Sequence, residues 1–254
     1  MERLQDRVAV VTGAGSGIGL ASARRMAAEG ARVVAVDIDK AAGQAAAEET
    51  DGIFLAADVS VEEDVRGLFD DVAGEFGRID IAFNNAGISP PEDGSILDTG
   101  IDAWRRVQEI NLTSVYLCCK YVLPHMRRQG KGSIINTASF VAVLGAATSQ
   151  ISYTASKGGV LAMSRELGVQ FAREGIRVNA LCPGPVNTPL LRELFAKDPE
   201  RAARRLVHVP VGRFAEPEEI AAAVAFLASD DASFITASQF LVDGGIAGAY
   251  VTPL

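Results

Sequence analysis

The sequence predicts an α/β protein in which one doubly wound parallel sheet of about seven strands carries helices on both faces. Short β-branched runs alternate with longer segments of helical period along the 254-residue chain. The short runs are apolar nearly throughout, which is typical of strands covered on both faces. Repeated strand–helix alternation leads to right-handed parallel crossovers. Because no repeat, low-complexity tract or linker interrupts this alternation, we expect a single domain spanning 1–254.

The individual elements follow from these runs and from the residues that end them. Gly30, Gly77 and Gly130 each follow a helical run, where a left-handed glycine commonly ends a helix. Pro217 opens the last helix at a position that tolerates a missing N–H. Strands are predicted at residues 8–11, 32–36, 52–56, 79–84, 133–137, 176–182 and 239–242. Helices are predicted at residues 17–29, 40–49, 61–76, 102–129, 152–173 and 217–227.

Composition and charge exclude several classes of protein. With 48% hydrophobic and 22% charged residues, the chain can bury about three quarters of its unfolded surface, which excludes a disordered protein. The 24 basic and 32 acidic residues give a net charge of −8. This charge opposes binding to a nucleic-acid backbone or to an anionic membrane surface. We therefore expect neither nucleic acid nor membrane as a partner.

The cysteines indicate a reducing compartment. Cys118, Cys119 and Cys182 are an odd number, and their spacing matches neither a disulfide framework nor a set of metal ligands. Charges interrupt the N-terminal segment, and no run approaches the ~20 apolar residues that span a bilayer. We expect a cytoplasmic protein without a metal site.

Two stretches depart from the alternation of strands and helices. Residues 88–100 form a polar loop with two prolines, and residues 186–212 form a long excursion before the last helix. Excursions of this length in a compact domain are more often functional than simple connections. Both follow the carboxyl ends of strands, where open α/β sheets bind their ligands. We predict a substrate lid at about 186–212.

A glycine-rich turn follows the first strand. The run Thr12-Gly13-Ala14-Gly15-Ser16-Gly17-Ile18-Gly19 leads directly into the first helix. Glycines permit a tight turn and close approach of a phosphate, and the free N–H groups of a helix start attract it. By itself the run is a weak signal, and a plain tight turn is the alternative. Its position between strand one and helix one favours a dinucleotide pyrophosphate site.

An acidic residue, Asp37, ends the second strand. A carboxylate at this point can accept hydrogen bonds from the ribose hydroxyls of a bound adenosine. A 2′-phosphate would bring a second negative group beside it, and neither Ser16 nor Ile38 compensates that charge. The sequence therefore favours NAD over NADP. The alternative is that Asp37 merely caps the following helix.

Tyr153 and Lys157 lie four residues apart in a predicted helix and hence on one face. A free tyrosine, whose pKa is near 10, is a poor acid or base at neutral pH. A nearby ammonium favours the phenolate. Such a pair often occurs by chance, but here Ser139 ends strand five and Asn111 lies in the long helix before that strand.

These motifs, with Asn84-Asn85-Ala86-Gly87 after strand four and Pro183-Gly184 after strand six, occur in a characteristic order. In this respect the chain resembles the short-chain dehydrogenase/reductase family over essentially its whole length. The resemblance implies a Rossmann-type fold and an oxidoreductase that interconverts a secondary alcohol and a ketone by hydride transfer. It also implies a nicotinamide cofactor, which Asp37 predicts to be NAD, with NADP less favoured.

The resemblance assigns four residues to catalysis. Tyr153 would be the general acid/base, and Ser139 would hydrogen-bond the reacting oxygen. Lys157 would favour the Tyr153 phenolate and hold the nicotinamide ribose, and Asn111 would bind a water that continues a proton relay. The residues expected to bind the cofactor are Gly13, Ser16, Gly17, Ile18, Gly19, Asp37, Asp58, Val59, Asn85, Ala86, Gly87, Tyr153, Lys157, Pro183, Gly184, Val186 and Thr188.

The substrate stays open at this point. Within the family, the chain is most similar to 3-oxoacyl-thioester reductases and to dehydrogenases of small alcohols, sugars or polyols. A non-catalytic NAD-binding scaffold is a further alternative, although all four catalytic residues are present. The resemblance also implies a homotetramer, in which small and apolar residues of the run from Gly158 to Phe171 would cover an outer face.

Overall fold

The computed structural model describes residues 2–146, 148–189, 191–192, 196, 200, 203 and 206–249. Its strands are β1 (Val8–Thr12), β2 (Arg32–Asp37), β3 (Ile53–Ala56), β4 (Ile81–Asn84), β5 (Gly132–Thr137), β6 (Ile176–Pro183) and β7 (Gln239–Val242). Its longer helices are α1 (Gly17–Ala28), α2 (Lys40–Glu49), α3 (Glu62–Phe76), α4 (Ile101–Gln108), α5 (Ser114–Gln129), α6 (Ile151–Gln170) and α7 (Pro217–Ala228). Within the described residues, seven parallel strands form one sheet in the order β3-β2-β1-β4-β5-β6-β7. The predicted fold class is confirmed.

The sheet has a hydrophobic core on each face because its side chains alternate. In β1, Val8 and Val10 point to the face covered by α3, α5 and α6. Ala9 and Val11 point to the opposite face, which α1 and α7 cover. All four are almost completely buried. Burial on both faces explains why the strands have no polar alternation in the sequence.

The strand order reverses direction at β1. The chain runs outward from β1 to β2 and β3, then returns so that β4 pairs with the other side of β1. Such a switch point opens a crevice at the carboxyl ends of the two strands. The glycine loop after β1 and the Asn85–Gly87 segment after β4 therefore meet there.

Most predicted ends lie within one residue of the observed ones, but the helix predicted at 152–173 ends at Gln170 and two other elements also differ. The helix predicted at 102–129 is interrupted by a π-helical turn, Glu109–Thr113, which contains Asn111. The strand predicted to begin at residue 79 begins at Ile81. The Gln129 side chain accepts a hydrogen bond from the Ile79 N–H at 2.8 Å and donates one to its carbonyl at 2.8 Å, which takes Ile79 out of the ladder.

The predicted lid lies only partly within the described residues. Its base is closed by a parallel bridge between Val186 and Ala215, where the Asn187 N–H donates to the Ala215 carbonyl at 2.7 Å. Leu191, Arg192 and residues 206–212 are described, whereas most of 190–205 lies outside the described residues.

The run from 158 to 171 does not present all its apolar side chains outward. Val160, Leu161 and Phe171 lie in the chain's own core, packed toward the sheet. The prediction that these three side chains cover an outer face is therefore wrong. Among the described residues, no helix combines the length and apolar character needed to cross a membrane.

Candidate active site

The glycine loop has backbone geometry that only glycine adopts easily. Gly13 and Gly17 have φ angles of 65° and 54°, in the left-handed region. A Cβ on Gly19 would lie 1.9 Å from the Gly13 carbonyl oxygen, so a side chain there would push the loop off the helix. The plain tight turn does not account for this close approach of helix and loop.

The first turn of α1 is open toward this loop. Ser16 is the N-cap residue in extended backbone, and its side chain makes no capping hydrogen bond. The N–H groups of Gly17, Ile18 and Gly19 belong to the first turn, whose amides have no partner within a helix. An uncapped helix start behind a close-packed glycine turn fits the pyrophosphate of a dinucleotide.

Thr12, which the sequence analysis left without a role, ties the two sides of the crevice together. Its hydroxyl accepts hydrogen bonds from the N–H groups of Asn85 at 3.0 Å and Ala86 at 3.2 Å. The Asn85 side chain donates to the Thr12 carbonyl at 3.2 Å. The only signal in the sequence is a hydroxyl residue at the end of a strand, directly before the glycines.

Asp37 faces the glycine loop. One carboxylate oxygen accepts a hydrogen bond from the Gly15 N–H at 2.8 Å, and the other accepts from the Asp39 N–H at 2.9 Å. The following helix, α2, is capped by Asp39, whose side chain accepts from Ala41 and Ala42. The alternative interpretation of Asp37 as the cap of α2 is therefore wrong.

Asp58 and Val59 follow β3 at the same edge of the sheet. One Asp58 oxygen accepts hydrogen bonds from the Ser60 N–H at 2.9 Å and from the Ser60 hydroxyl at 2.6 Å. The Val59 side chain belongs to the core. An adenine ring would accordingly meet the backbone of Val59, not its side chain.

The segment after β6 closes the crevice from the other side. A Cβ on Gly17 would lie 3.3 Å from Cγ2 of Thr188, so Thr188 lies directly over the glycine loop. Pro183 ends β6 beside Val242, and a Cβ on Gly184 would come 2.7 Å from Cα of Asp243. Val186 forms the bridge at the base of the predicted lid.

Lys157 and Tyr153 come together in the first two turns of α6. The Lys157 side chain is buried, and its Nζ donates a hydrogen bond to the Thr137 carbonyl at 2.6 Å. It lies 5.7 Å from the centre of the Tyr153 ring. In the described part of the chain no carboxylate forms an ion pair with it. Burial lowers the pKa of Lys157 to about 8.

Asn111, in the π-turn, lies within this cluster. Its side chain accepts from the Ile88 N–H at 2.8 Å and donates to the Ile88 carbonyl at 2.9 Å. It also donates to the Ser156 hydroxyl at 3.3 Å. A Cβ on Gly87 would lie 3.2 Å from Oδ1 of Asn111 and 3.5 Å from Nζ of Lys157, so Gly87 keeps this corner open.

Ser139 lies two residues beyond Thr137, at the end of β5. It is buried, and its hydroxyl accepts a hydrogen bond from the Val141 N–H at 3.4 Å, at the start of a short 3-10 turn. The carbonyl of Thr137 holds Lys157, so the same strand end positions the serine and the ammonium.

Comparison with known proteins gives a consistent family. A family model described as "Enoyl-(Acyl carrier protein) reductase" matches residues 13–247. The chain is 45% identical to a cis-4-hydroxycyclohexanecarboxylate dehydrogenase of Sinomonas cyclohexanicum, over 96% of this chain and 98% of that protein. It is 42% identical to a meso-2,3-butanediol dehydrogenase of Serratia marcescens, over 96% and 95% of the two chains.

A solved structure has the same fold as this chain. A crystal structure of levodione reductase superposes with a TM-score of 0.91 at 39% identity, over 98% of this chain and all (100%) of that one.

The buried ammonium predicts a pH-dependent stability. Lysine has a pKa of 10.5 when unperturbed, against about 8 for Lys157 in the folded protein. Between these values the folded protein has released a proton that the unfolded chain retains, so the free energy of unfolding rises with pH. The roughly 2.5 units between the two pKa values correspond to about 3 kcal/mol.

Lys157→Met removes this contribution. We expect its free energy of unfolding, relative to the wild type, to fall by about 3 kcal/mol between pH 8 and pH 10.5 and to be constant below pH 8. Urea denaturation of both proteins across this range measures the difference. A difference that is the same at every pH would show that Lys157 is not buried as an ammonium.

Proposed function

The chain belongs to the short-chain dehydrogenase/reductase family and is an oxidoreductase acting on CH–OH groups with a nicotinamide cofactor; we propose that the cofactor is NAD(H) and that Tyr153 is the general acid/base. The observation that carries the proposal is the position of Tyr153 beside the buried Lys157 ammonium, which forms no ion pair with any described carboxylate. The relatives' activities connect secondary alcohols with ketones. The non-catalytic scaffold is thereby set aside.

In the proposed reaction each residue has one task. The Tyr153 phenolate takes the hydroxyl proton of the alcohol, or the phenol returns it to the ketone. Ser139 donates a hydrogen bond to the reacting oxygen as its charge develops. The bound nicotinamide supplies the hydride acceptor or donor.

Lys157 and Asn111 support the proton transfer. The Lys157 ammonium stabilises the phenolate electrostatically, and its remaining N–H groups would be available to hold the ribose hydroxyls of the cofactor. Because burial excludes water from this ammonium, its field at the phenol is weakly screened. Asn111, which is completely buried, would hold the water through which the proton leaves toward solvent.

The preference for NAD rests on Asp37. Its carboxylate faces the Gly15 N–H, where a ribose hydroxyl would donate to it and a 2′-phosphate would be repelled. A Cβ on Gly15 would lie 2.9 Å from an Asp37 oxygen, so there is little room at residue 15 for a basic side chain that could neutralise a phosphate. We propose NAD(H) for this reason.

For the substrate we propose a small secondary alcohol or the corresponding ketone. The relatives named for cis-4-hydroxycyclohexanecarboxylate and meso-2,3-butanediol support this class. The 3-oxoacyl-thioester alternative would need basic groups for coenzyme A phosphates or an acidic carrier protein. Arg127 already pairs with Glu174, and Lys131 with Asp230, so these side chains give the alternative little support.

Three further features belong to this proposal. The segment 186–212, closed at its base by the Val186–Ala215 bridge, acts as the substrate lid. The chain assembles as a homotetramer, for which the exposed Tyr116 on α5 and Val169 on α6 supply apolar outer surface. A cytoplasmic location accords with three free, buried cysteines.

Tyr153→Phe tests the acid/base assignment. It removes the phenolic hydroxyl and keeps the ring, so we expect turnover to fall at least about 1000-fold while NADH affinity is retained. Nicotinamide absorbance is followed with cis-4-hydroxycyclohexanecarboxylate, meso-2,3-butanediol, a hexose and acetoacetyl-coenzyme A. Turnover by the variant equal to that of the wild type would refute the assignment, and activity confined to the thioester would replace the proposed substrate class.

Asp37→Ala tests the coenzyme preference. Loss of one charge-assisted hydrogen bond predicts a roughly 10- to 100-fold rise in KM for NAD, with a smaller change or a gain for NADP. The neighbouring Asp39→Ala, which leaves the Asp37 carboxylate in place, is the control and keeps the wild-type ratio. If the wild type prefers NADP, the role given to Asp37 is wrong.

A further inference from the structure

A buried carboxylate in the polar loop 88–100 binds the start of the helix that carries Tyr153. We propose that this residue, Asp93, is a positioning residue: it fixes the first turn of α6 and through it the place of the phenol. The inference rests on the proposed acid/base role of Tyr153 and deepens it. Asp93 has no part in the motifs recognised in the sequence.

Asp93 binds the backbone N–H groups at the start of α6, including that of Tyr153. One Asp93 oxygen accepts a hydrogen bond from the Ser152 N–H at 2.9 Å, and the other accepts from the Tyr153 N–H at 2.8 Å. The next loop residue, Gly94, accepts at its carbonyl from the Ile151 N–H at 3.1 Å. Three consecutive amides at the start of α6 are thus bound by one loop, and one of them belongs to Tyr153 itself.

The helix has no cap of its own at this end. Gln150 is the N-cap residue, and its side chain makes no capping hydrogen bond. The first amides of a helix have no partner within it, so the loop supplies what the local sequence does not. From the other side, the Gln108 side chain on α4 donates to the Ser152 carbonyl at 2.9 Å. The first turn is therefore held by two separate segments.

Asp93 is itself held in place. It is 7% exposed, so its bonds are shielded from competing water. Its N–H donates to the Pro90 carbonyl at 3.1 Å, and the Gly94 N–H donates to the Thr99 hydroxyl at 2.9 Å. A charged acceptor in a fixed loop is a more rigid support than a mobile surface cap.

The first residue of the same loop, Ile88, is bound to Asn111. Ile88 exchanges two hydrogen bonds with the Asn111 side chain, as described above. Six residues of this loop, 88 to 93, therefore connect a residue bonded to Asn111 with the residue that binds the Tyr153 N–H. The loop fixes the distance between the proposed proton relay and the proposed acid/base, and a loose Asp93 would release that distance.

A helix cap elsewhere in the chain separates positioning from general stability. Asp39 caps α2 with the same chemistry, one carboxylate accepting from two consecutive amides, Ala41 at 3.0 Å and Ala42 at 3.1 Å. Removal of either carboxylate leaves two helix amides unpaired. The two variants differ in which helix start is released, and α2 carries neither Tyr153 nor Lys157.

The experiment compares Asp93→Ala, Asp93→Asn and Asp39→Ala with the wild type. NADH titration by fluorescence counts the intact cofactor sites of each variant. The kcat per NADH-binding site is then measured with NAD and meso-2,3-butanediol. If the diol is not turned over, cis-4-hydroxycyclohexanecarboxylate replaces it. We expect Asp93→Ala to lower kcat per site about 10- to 100-fold, because a small displacement of a catalytic group has this effect. Its NADH affinity and KM for NAD stay within about twofold of the wild type, since the glycine loop is untouched.

The asparagine variant and the control decide the interpretation. Asp93→Asn keeps one oxygen acceptor and should fall between wild type and Asp93→Ala; it also carries the test if the alanine variant does not fold. Asp39→Ala should retain the wild-type kcat per site. Unchanged kcat per site in both Asp93 variants, an equal loss in Asp39→Ala, or a parallel loss of NADH affinity would overturn the proposal. A wild type inactive on every alcohol and ketone tested would instead refute the proposed function on which it rests.

Discussion

The site depends on the buried Lys157 ammonium, for which the described part of the chain supplies no carboxylate partner. Taking a cation out of water is costly unless other groups compensate. Here the compensation is one short hydrogen bond from Lys157 to the Thr137 carbonyl and the aromatic ring of Tyr153 close by. The depressed pKa of Lys157 records the remaining cost. In the proposed function, the poorly solvated ammonium would attract a phenolate and ribose oxygens strongly, at the cost of some stability of the fold.

Several elements of the fold meet at this buried ammonium and hold it in place. β5 ends at Thr137, α6 carries Lys157 one turn from Tyr153, and the π-turn brings Asn111 against Ile88 and Ser156. At the other side of the crevice, the Thr12 hydroxyl joins the ends of β1 and β4. The residues proposed to bind the cofactor and those proposed for catalysis are therefore carried by neighbouring strands of one sheet, β1, β4 and β5, next to its switch point.

Much of this was predictable from the sequence because it is encoded locally. The pattern of hydrophobic residues predicts the observed bounds of two elements, the strand Gln239–Val242 and the helix Lys40–Glu49. The placement of Asp37 beside the glycine loop follows from strand order. The contacts of Asn111 were not predictable, since its side chain bonds to Ile88, 23 residues earlier. Asp93 was likewise hidden, because nothing near residue 93 shows that its partners lie 60 residues later. Val160 and Leu161 were misassigned to an outer face because composition does not tell which side of a helix meets the sheet.

The most direct test of the central claim is the pH dependence of kcat/KM for alcohol oxidation at saturating NAD, compared between the wild type and Lys157→Met. If the buried ammonium stabilises the base form of the catalytic tyrosine, the pH at which kcat/KM reaches half its plateau moves upward by about one unit or more in the variant. An unchanged midpoint, with activity lowered equally at every pH, would contradict the account and leave Lys157 with a role in binding alone.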